Sequence, residues 1–433
     1  MKKRILLAVS LLITLAMLCS CAFIPISRLD ALYKPAEGSV ITSGYPAATD
    51  QTIEQTGDTV TISREEYEKY QKFSEVYALY DTANQSFYKD TDPDKMVEYA
   101  ARGLLAGLDD PYTFYYNPKE FADMWKEDEG NYVGIGVLIS SNMKTQICTI
   151  SRVFNGSPAQ EAGVQRGDIL YKVGADLFVT ANNLQEAVDI MRGVPGTDVD
   201  VTFLRNGEEI TFTITRKEIK VNQIESKMLD KDIGYIALYE FAGNCHKEFE
   251  TALNQLVSQG AKSIIMDLRD NPGGWVDQAQ YIADLFMDKG ELCYLVYRDG
   301  LEHHEDYPTK DGKVDVQLTV IINENSASSS EILTGALRDC ANAAVVGVKS
   351  FGKGIIQGVY PIGDKGAGFQ MTIAQYFTPS GQAVHQEGIT PEYIVELPEG
   401  DNGMYEFADT EKDVQLKKAL EVTRERLEKN TGE

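Results

Sequence analysis

Leu318 to Asp339 reads LTVIINENSASSSEILTGALRD, an apolar run that leads through a polar, serine-rich segment into a second apolar pattern. The opening run, LTVII, is rich in β-branched residues, which is typical of a strand buried on both faces. From Ser328 onward, apolar residues recur every three to four positions, which predicts an amphipathic helix ending near Asp339. The segment therefore predicts a strand, a turn and a helix, the repeating unit of α/β domains.

The same alternation continues on both sides of this segment. Residues 234–238, 263–268 and 344–348 predict further buried strands, and residues 246–258 predict an amphipathic helix. Together these elements predict an α/β core over residues 220–400. A last amphipathic pattern at residues 413–427 predicts a helix within a C-terminal tail, residues 401–433.

Ser328 begins the predicted helix and Glu331 follows at the spacing of a capping box. A serine where a strand turns into a helix is more often a helix cap than a nucleophile. On this feature alone, both interpretations of Ser328 stay open.

Two glycine-rich segments flank the core strands. Phe351-Gly-Lys-Gly354 places a lysine between two glycines, which lets its backbone and side chain approach another segment closely. Asp267-Leu-Arg-Asp-Asn-Pro-Gly-Gly274 runs from a strand into a turn whose N–H groups can face an anion. Taken singly, the first segment is also compatible with an exposed loop lysine, and the second with a generic turn.

Residues 129–219 form a block of short strands and turns. Strands are predicted at 132–139, 148–153, 169–173, 199–204 and 210–214, and helical patterns lie at 157–163 and 184–191. The block resembles a PDZ domain, and the resemblance rests on Gly134-Ile-Gly-Val137, Gly156-Ser-Pro-Ala159, Ala162-Gly163 and Arg166-Gly-Asp-Ile-Leu170. Before it, residues 63–128 carry helical spacing, with Asp110-Pro111 closing the second predicted helix.

Together these segments resemble the carboxyl-terminal processing peptidases, also called tail-specific proteases, from residue 64 onward. The resemblance implies an α/β multidomain protein, with a crotonase/ClpP-like α/β protease core, an inserted PDZ domain and an N-terminal helical segment. It implies a serine endopeptidase with a Ser/Lys dyad: the nucleophile falls on Ser328 and the base on Lys353. By the same resemblance, Gln357 is a third catalytic residue and Asp339 is a supporting residue. Ser329 is a departure, because the family usually has alanine there.

Elementary chemistry supports the dyad. A serine hydroxyl is inert near neutral pH unless a neighbouring base removes its proton. A lysine serves as that base only when burial or nearby positive charge lowers its pKa from a reference value of ~10.4. We therefore expect Lys353 to be buried against Ser328, with Gln357 orienting it.

The developing oxyanion needs hydrogen-bond donors, and the N–H groups of Gly273, Gly274 and Ser329 are the candidates. In the PDZ block, a peptide is expected to add as a strand while successive N–H groups hold its terminal carboxylate. Those N–H groups belong to Val133, Gly134, Ile135 and Gly136. By resemblance, this binding tethers substrate or gates the active site, with Arg192 as a candidate relay. The alternative for Arg192 is an exposed charge at a helix end.

The N-terminus has the pattern of an export signal. Met1-Lys-Lys-Arg4 precedes an apolar run from Ile5 to Leu18, which is shorter than the ~20 residues that cross a bilayer comfortably. Residues 18–21 resemble a bacterial lipoprotein processing box, which would make Cys21 the lipidated first residue of the mature chain. The alternative is an uncleaved anchor. We predict a leader or anchor over residues 1–24, a flexible linker over 25–62 and a location at the outer face of the bacterial cell membrane.

Charge and cysteine content exclude several functions. A formal charge of −25, without a dense basic stripe, argues against nucleic acid as a partner. Four cysteines follow the leader without metal-ligand spacing, so buried free thiols are expected and no metal or cofactor is predicted. These cysteines are Cys148, Cys245, Cys293 and Cys340. The expected partners are proteins or peptides with free C-termini, the membrane through the lipid or anchor, and further copies of the chain in a homo-oligomer.

Two other functions remain to be weighed. One is a catalytically inactive PDZ scaffold or chaperone, which would bind peptides without turnover; the intact Ser328/Lys353 pair argues against it. The other is a protease with a Ser-His-Asp triad. None of the four histidines lies in a motif that makes it a catalytic base, although His385 is the residue whose replacement would test this alternative.

Overall fold

The computed structural model describes residues 23–24, 62–128, 131–142, 145–287, 290–300, 302–307, 313–399, 401, 403, 405 and 407–431. Cys21 and nearly all of the predicted leader and linker lie outside these residues. The contacts divide the chain into two units. The first unit holds residues 1–23, 122–357 and 373–433, and the second holds residues 24–121 and 358–372.

The described helices are α1 (Arg64–Lys72), α2 (Ser74–Ser86), α3 (Pro93–Ala106), α4 (Pro118–Asp128), α5 (Pro158–Ala162), α6 (Leu184–Met191), α7 (Cys245–Ser258), α8 (Val276–Asp284), α9 (Ser329–Cys340) and α10 (Val414–Thr431). The strands of the first half are β1 (Phe23–Ile24), β2 (Phe114–Tyr116), β3 (Asn131–Gly134), β4 (Val137–Asn142), β5 (Ile147–Val153), β6 (Ile169–Val173), β7 (Leu177–Phe178), β8 (Asp198–Arg205), β9 (Glu208–Thr215) and β10 (Lys217–Lys220). The remaining strands are β11 (Ile224–Asp230), β12 (Ile233–Leu238), β13 (Ser263–Asp267), β14 (Gly290–Tyr297), β15 (Glu302–Tyr307), β16 (Gln317–Ile322), β17 (Ala344–Gly347), β18 (Ile355–Ile362), β19 (Ala367–Phe377) and β20 (Tyr393–Ile394).

The central sheet of the first unit has the order β11-β12-β13-β16-β17-β20. All of its neighbouring strands pair in parallel except β11, which is antiparallel to β12. Helix α10 covers one face, where Leu416 packs with Ile265 and Ile321, and α7 covers the other, where Leu256 lies against Gly234. Because parallel strands end at the same edge, the loop after β13 and the segment after β16 leave the sheet side by side. The predicted strand, turn and helix around Ser328 are confirmed.

A second sheet has strands that the sequence analysis did not predict. Its order is β1-β18-β19-β14-β15. Within the first unit, β14 pairs with the end of β19, so that Leu295 lies opposite Tyr376. Within the second unit, β2 pairs with the start of β19.

The PDZ block in the first unit is a sheet of order β4-β5-β6-β8-β9 with β7 paired to β6, around its own buried core. The predicted single strand 132–139 is wrong, because the chain forms β3 and β4 with a break at Ile135 and Gly136. Gly136 has φ +86°, and a Cβ added there would lie 2.3 Å from Ser157 Cβ, so the strand turns at a position that only glycine fits. Strand β3 pairs instead with β10.

The second unit contains α1, α2 and α3, none of which has a buried residue. The predicted helix closure at Asp110-Pro111 is wrong, because α3 ends at Ala106 with Gly107 as its C-cap. Arg102 joins α3 to α4 through ion pairs with Glu98 and Glu120. Among the helices described, none combines the length and apolarity required to cross a bilayer.

None of the four cysteines in the described part of the chain forms a disulfide. Cys148, Cys245 and Cys293 are buried, as expected. Cys340, the last residue of α9, is exposed, so the expectation of burial is wrong for this thiol.

Candidate active site

Ser328 is fully buried and lies between β16 and α9 with φ 58° and ψ −116°. This conformation lies outside the broad regions that residues with a Cβ occupy. Such positions cost on the order of 1–3 kcal/mol and cluster at functional sites, because the surrounding structure must hold them in place. The backbone strain singles out Ser328 from the neighbouring serines.

The neighbouring serines have structural partners in the loop after β13. Ser326 Oγ donates to Leu268 O at 2.7 Å, Ser329 Oγ donates to Gly274 O at 2.8 Å, and Ser330 Oγ donates to Asn271 O at 2.9 Å. The hydroxyl that distinguishes Ser329 from the alanine usual in the family therefore holds the Gly-Gly turn. Together the three serines fix the loop against the start of α9.

The Gly273–Gly274 turn lies directly against Ser328. A Cβ added to Gly273, which has φ +109°, would lie 2.8 Å from Ser328 Cβ and 3.0 Å from Ser329 N. The Gly273 N–H already donates to Asn271 Oδ1 at 2.9 Å. The N–H groups of Gly274 and Ser329 are therefore the stronger candidates for binding an oxyanion.

Lys353 is buried, with 3% of its surface exposed, as the sequence analysis expected. Its glycine neighbours allow close approach: Gly352 has φ +90°, and a Cβ added to Gly354 would lie 2.1 Å from His385 N. Gln357 is fully buried on β18 and follows Lys353 closely in the sequence. The loop thus carries Lys353 into the interior beside the segment that bears Ser328.

Glu331 connects these two segments through its buried carboxylate. Oε2 accepts the backbone N–H groups of Ser328 at 2.8 Å and Lys353 at 2.9 Å. Oε1 accepts Ser350 Oγ at 2.5 Å and Gly352 N at 2.7 Å. Burial raises the pKa of Glu331, although these four hydrogen bonds oppose the rise. The sequence analysis recognised only a helix cap at this residue.

Tyr376 connects the same two segments through their carbonyl groups. Its hydroxyl lies 2.7 Å from Lys353 O and 3.1 Å from Ser328 O, and its side chain is fully buried. The sequence carried no signal for this residue, because the contact depends on the pairing of β19 with β14.

Asp339 is not brought to Ser328. It lies about 16 Å further along α9, at a rise of ~1.5 Å per residue. Its carboxylate pairs with Arg338 Nε at 2.8 Å and accepts Ser380 N at 3.0 Å. Burial alone would raise the pKa of Asp339, but these partners hold it below the usual value.

A buried charged network supports the loop that leads to the Gly-Gly turn. Arg269 pairs with Asp267 at 2.6 Å and with Asp413 at 2.7 Å, and Tyr235 OH donates to Asp267. Burial would raise the pKa of Asp267, but the Arg269 guanidinium and the hydrogen bonds hold it below the usual value. Because Asp413 also accepts the backbone N–H of Leu416, the network joins this loop to the start of α10.

The predicted carboxylate-binding residues of the PDZ block are split by the structure. Val133 and Gly134 lie in β3 opposite Glu218 and Lys217, whereas Ile135 and Gly136 form the break before β4. The side chain of Arg192 lies over the Tyr132 ring, with its guanidinium carbon 5.6 Å from the ring centroid. Arg192 is exposed, and this contact stays within the PDZ block.

Two other arginines connect the PDZ block to the protease core, and the sequence analysis assigned neither a role. Arg152 donates to Asn222 O at 2.7 Å and stacks 3.4 Å from the Tyr239 ring centroid. Arg166 donates to Tyr405 O at 2.8 Å and lies 3.8 Å from Asp270 Oδ2. The second arginine thus reaches the loop that bears the Gly-Gly turn.

Asp270 in turn joins both loops of the site. Its carboxylate accepts Asn323 Nδ2 at 2.9 Å and Asn325 Nδ2 at 2.8 Å, on the segment that precedes Ser328. Asp270 has φ 57°, a conformation that asparagine and aspartate tolerate better than most residues. Within the described ranges, no group of three or more His, Cys, Asp or Glu side chains is placed to hold a metal ion.

Comparison with known proteins places this chain in a family. The profile for Peptidase family S41 matches residues 232–395, that for the PDZ domain matches residues 133–215, and that for the activating protease CtpB N-terminal domain matches residues 39–120. The chain is 36% identical over 333 residues to the carboxyl-terminal-processing protease of Synechocystis sp., covering 75% of this chain and 76% of the relative. It is 33% identical over 330 residues to the carboxy-terminal processing protease CtpA of Bacillus subtilis, covering 76% of this chain and 70% of the relative. This chain belongs to peptidase family S41, the carboxyl-terminal processing proteases.

The S41 fold is also found in solved structures. The photosystem II D1 C-terminal processing protease has a TM-score of 0.54 at 24% identity, over 77% of this chain and 94% of that chain, which supports the fold alone. The expected α/β multidomain architecture, with an inserted PDZ domain and an N-terminal segment, is confirmed. The S41 match contains both Ser328 and Lys353.

Proposed function

We propose that this S41 protease is an endopeptidase that cleaves through an acyl-enzyme, with Ser328 as nucleophile and Lys353 as general base. The observation that carries the proposal is the strained, buried Ser328 held through Glu331 and Tyr376 to the backbone of the buried Lys353.

The reaction follows from these roles. The neutral amine of Lys353 accepts the hydroxyl proton of Ser328 while Oγ attacks the scissile carbonyl carbon, and the oxyanion accepts hydrogen bonds from Gly274 and Ser329. The ammonium returns this proton to the leaving nitrogen as the C–N bond breaks, which leaves an ester on Ser328. The neutral amine then takes a proton from water, whose oxygen attacks the ester, and protonation of Ser328 Oγ releases the acid.

The PDZ block is proposed to bind the C-terminus of the substrate. A peptide would pair with β4, because antiparallel or parallel strand addition satisfies an open sheet edge. The break at Ile135 and Gly136 would supply the backbone N–H groups that hold a terminal carboxylate at the start of β4. Among the strands that the structure describes, β4 is at the end of its sheet order, which leaves one of its edges for such pairing.

Export and membrane attachment through Cys21 are also proposed, on the N-terminal pattern alone. Labelling cells with a lipid precursor, followed by mass spectrometry of the N-terminal peptide, tests this. A lipid-modified Cys21 is the expected result, and an intact Met1 on the mature protein would show an uncleaved anchor instead.

Assembly of two or more copies is proposed to cover the apolar face of α1 and α2. The exposed large apolar residues of α1, of α2 and at Phe73 between them are Tyr67, Tyr70, Phe73, Val76, Tyr77 and Leu79. Helices of this length are marginal in water without a packing partner. Sedimentation should show an oligomer that the Tyr70→Glu/Tyr77→Glu variant disrupts; a monomeric wild-type protein with protected helix amides would refute this.

The catalytic proposal is tested with Ser328→Ala and Lys353→Ala, using Lys349→Ala as the matched control. Lys349 is exposed and lies shortly before Lys353 in the sequence, so replacing it with alanine should leave turnover unchanged. The substrate is an unstructured protein with an apolar C-terminus, and cleavage products are followed by mass spectrometry. Undiminished cleavage by either dyad variant would refute the assignment.

The same assay separates the two alternatives. A catalytically inactive scaffold would bind the substrate C-terminus without forming any product in the wild-type protein. A triad mechanism would require a steep loss of rate in His385→Gln, whereas the Ser/Lys mechanism predicts that this variant retains turnover.

A further inference from the structure

We propose that Glu331 and Tyr376 are positioning residues, which together clamp the backbones of Ser328 and Lys353 to each other. This inference rests on the proposed Ser/Lys function and assigns two further residues to it. One atom of each residue contacts both members of the dyad, and the two atoms act on opposite backbone groups.

The first half of the clamp acts on N–H groups. Glu331 Oε2 accepts Ser328 N at 2.8 Å and Lys353 N at 2.9 Å. Because both N–H groups bind the same oxygen, Ser328 N and Lys353 N can be no further apart than the sum of two hydrogen-bond lengths. Hydrogen bonds to a buried carboxylate are among the stronger ones in proteins.

The second half acts on carbonyl groups. The Tyr376 hydroxyl lies between Lys353 O at 2.7 Å and Ser328 O at 3.1 Å, so its hydrogen is shared by two acceptors. The hydroxyl lies on a fully buried side chain of β19, and β19 is fixed by its pairing with β14. The dyad backbones are therefore anchored to helix α9 through Glu331 and to strand β19 through Tyr376.

The clamp matters because the lysine side chain is long. Its four side-chain torsions allow the amine many positions relative to Cα, and proton transfer from Ser328 Oγ requires a hydrogen-bond distance. Fixing both backbones and burying the side chain removes most of these positions. A misplacement of about 1 Å can cost ~10²-fold in rate even when all reacting groups are present.

The Glu331 carboxylate is saturated by donors other than the amine. Its four partners are three backbone N–H groups and the Ser350 hydroxyl. The group of Lys353 that donates to Glu331 is its backbone N–H, so the carboxylate can hold the loop without requiring the charged amine as its counter-ion. Replacing Glu331 with glutamine would put an NH₂ group where one carboxylate oxygen now accepts two hydrogen bonds. Those two hydrogen bonds would be lost, because an NH₂ group is a donor.

Tyr376→Phe is the sharpest test, because it removes one hydroxyl without changing the shape of the core. Ser328 O keeps the N–H groups of Glu331 and Ile332 as donors, so α9 retains its first turn. The matched control is Tyr116→Phe, which removes a hydroxyl that donates to Gln370 at 2.6 Å on the same strand, in the second unit. Glu331→Gln is the companion variant.

Initial rates of peptide cleavage give kcat, KM and the pH profile of kcat/KM for each variant, and thermal unfolding gives the folded fraction. We expect Tyr376→Phe to lower kcat by roughly 10- to 100-fold with KM within about 3-fold, and Glu331→Gln to act in the same direction. Tyr116→Phe should change none of these.

Each other result counts against the clamp. It is refuted if Tyr376→Phe keeps kcat within about 3-fold, if its loss lies in KM alone, or if the loss disappears on normalising to the folded fraction. Ser328→Ala and Lys353→Ala are assayed in parallel. If either stays active, the proposed mechanism fails; if both are inactive while Tyr376→Phe is fully active, only the clamp fails.

Discussion

Replacing Gly273 with alanine should abolish most of the activity while leaving the protein folded. Gly273 has φ +109°, and its α-carbon faces the start of the nucleophile helix. An added Cβ would lie 2.8 Å from both Ala327 O and Ser328 Cβ. The substitution therefore pushes the oxyanion turn and the nucleophile apart.

The size of the effect follows from these distances. Ordinary contact begins at 3.4 Å, so the turn must move by about 0.6 Å to relieve a 2.8 Å approach. A positive φ at a residue with a Cβ adds strain of ~1–2 kcal/mol. Because loss of one oxyanion donor typically costs ~10²–10³ in kcat, we expect Gly273→Ala to lose about 10²-fold.

Gly207→Ala is the matched control for this variant. Gly207 has φ +84° in the turn between β8 and β9, and nothing lies within 4 Å of the Cβ that the substitution adds. Both variants therefore carry comparable backbone strain, but only Gly273→Ala disturbs the nucleophile. Peptide cleavage and urea unfolding are measured for both. A folded Gly273→Ala protein with kcat within about 3-fold of the wild type would refute the placement of the oxyanion site.

Three further outcomes are expected. Ser329→Ala should lower the free energy of unfolding by ~0.5–1.5 kcal/mol in urea titration, through loss of its bond to Gly274 O, with kcat within about 3-fold. The pKa of Asp267 is lower in the folded chain than in the unfolded chain, where it is ~3.9. Ionised Asp267 therefore stabilises the fold at pH values above ~3.9, and this stabilisation is lost as the pH falls through the lower pKa of the folded chain. Asp267→Asn should therefore cost ~3–5 kcal/mol at pH 7, and the difference from wild type should narrow below about pH 4 in the same titration. Arg166→Ala should change the free energy of unfolding by less than about 1 kcal/mol, because its contact with Asp270 is half-exposed. The same variant should change kcat for protein substrates. An unchanged kcat would contradict a functional link between the PDZ block and the loop with the oxyanion turn.

The elements that could be predicted from the sequence are those with local signals. Strand β16 and helix α9 follow from a change of apolar period, and α6 follows from its own amphipathic pattern with the same bounds. The Gly-Lys-Gly and Asn-Pro-Gly-Gly segments could be placed at strand ends because glycine and proline mark turns whatever the tertiary structure. Ser328 and Lys353 needed the family resemblance, since each segment alone had an ordinary structural explanation.

The rest depends on contacts between segments that are distant in sequence. Glu331 had a complete local explanation as a helix cap, and its Oε2 does accept Ser328 N. Its bond to Lys353 N becomes visible only when the loop after β17 is folded against α9. Tyr376 lies on a strand that the apolar pattern did not reveal, and Arg152 and Arg166 act on another domain. The periodicity of apolar residues indicates which face of a helix or strand is buried, but it does not indicate which other segment packs against that face.

Both halves of the site are held by buried hydrogen bonds, but only one of them also contacts the PDZ block. Ser328 and Lys353 are clamped inside the core through Glu331. The loop with the oxyanion turn is fixed to α9 by Ser329 and Ser330, and it is also tied to the PDZ block through Asp270 and the half-exposed side chain of Arg166. Exposed ion pairs contribute little free energy, so a shift of the PDZ block can break or change the contact between Arg166 and Asp270 at a small cost in free energy. Disturbing the clamp would instead require breaking several buried bonds at once. An influence of peptide binding on catalysis would therefore act on oxyanion stabilisation, and so on kcat, while the dyad stays assembled.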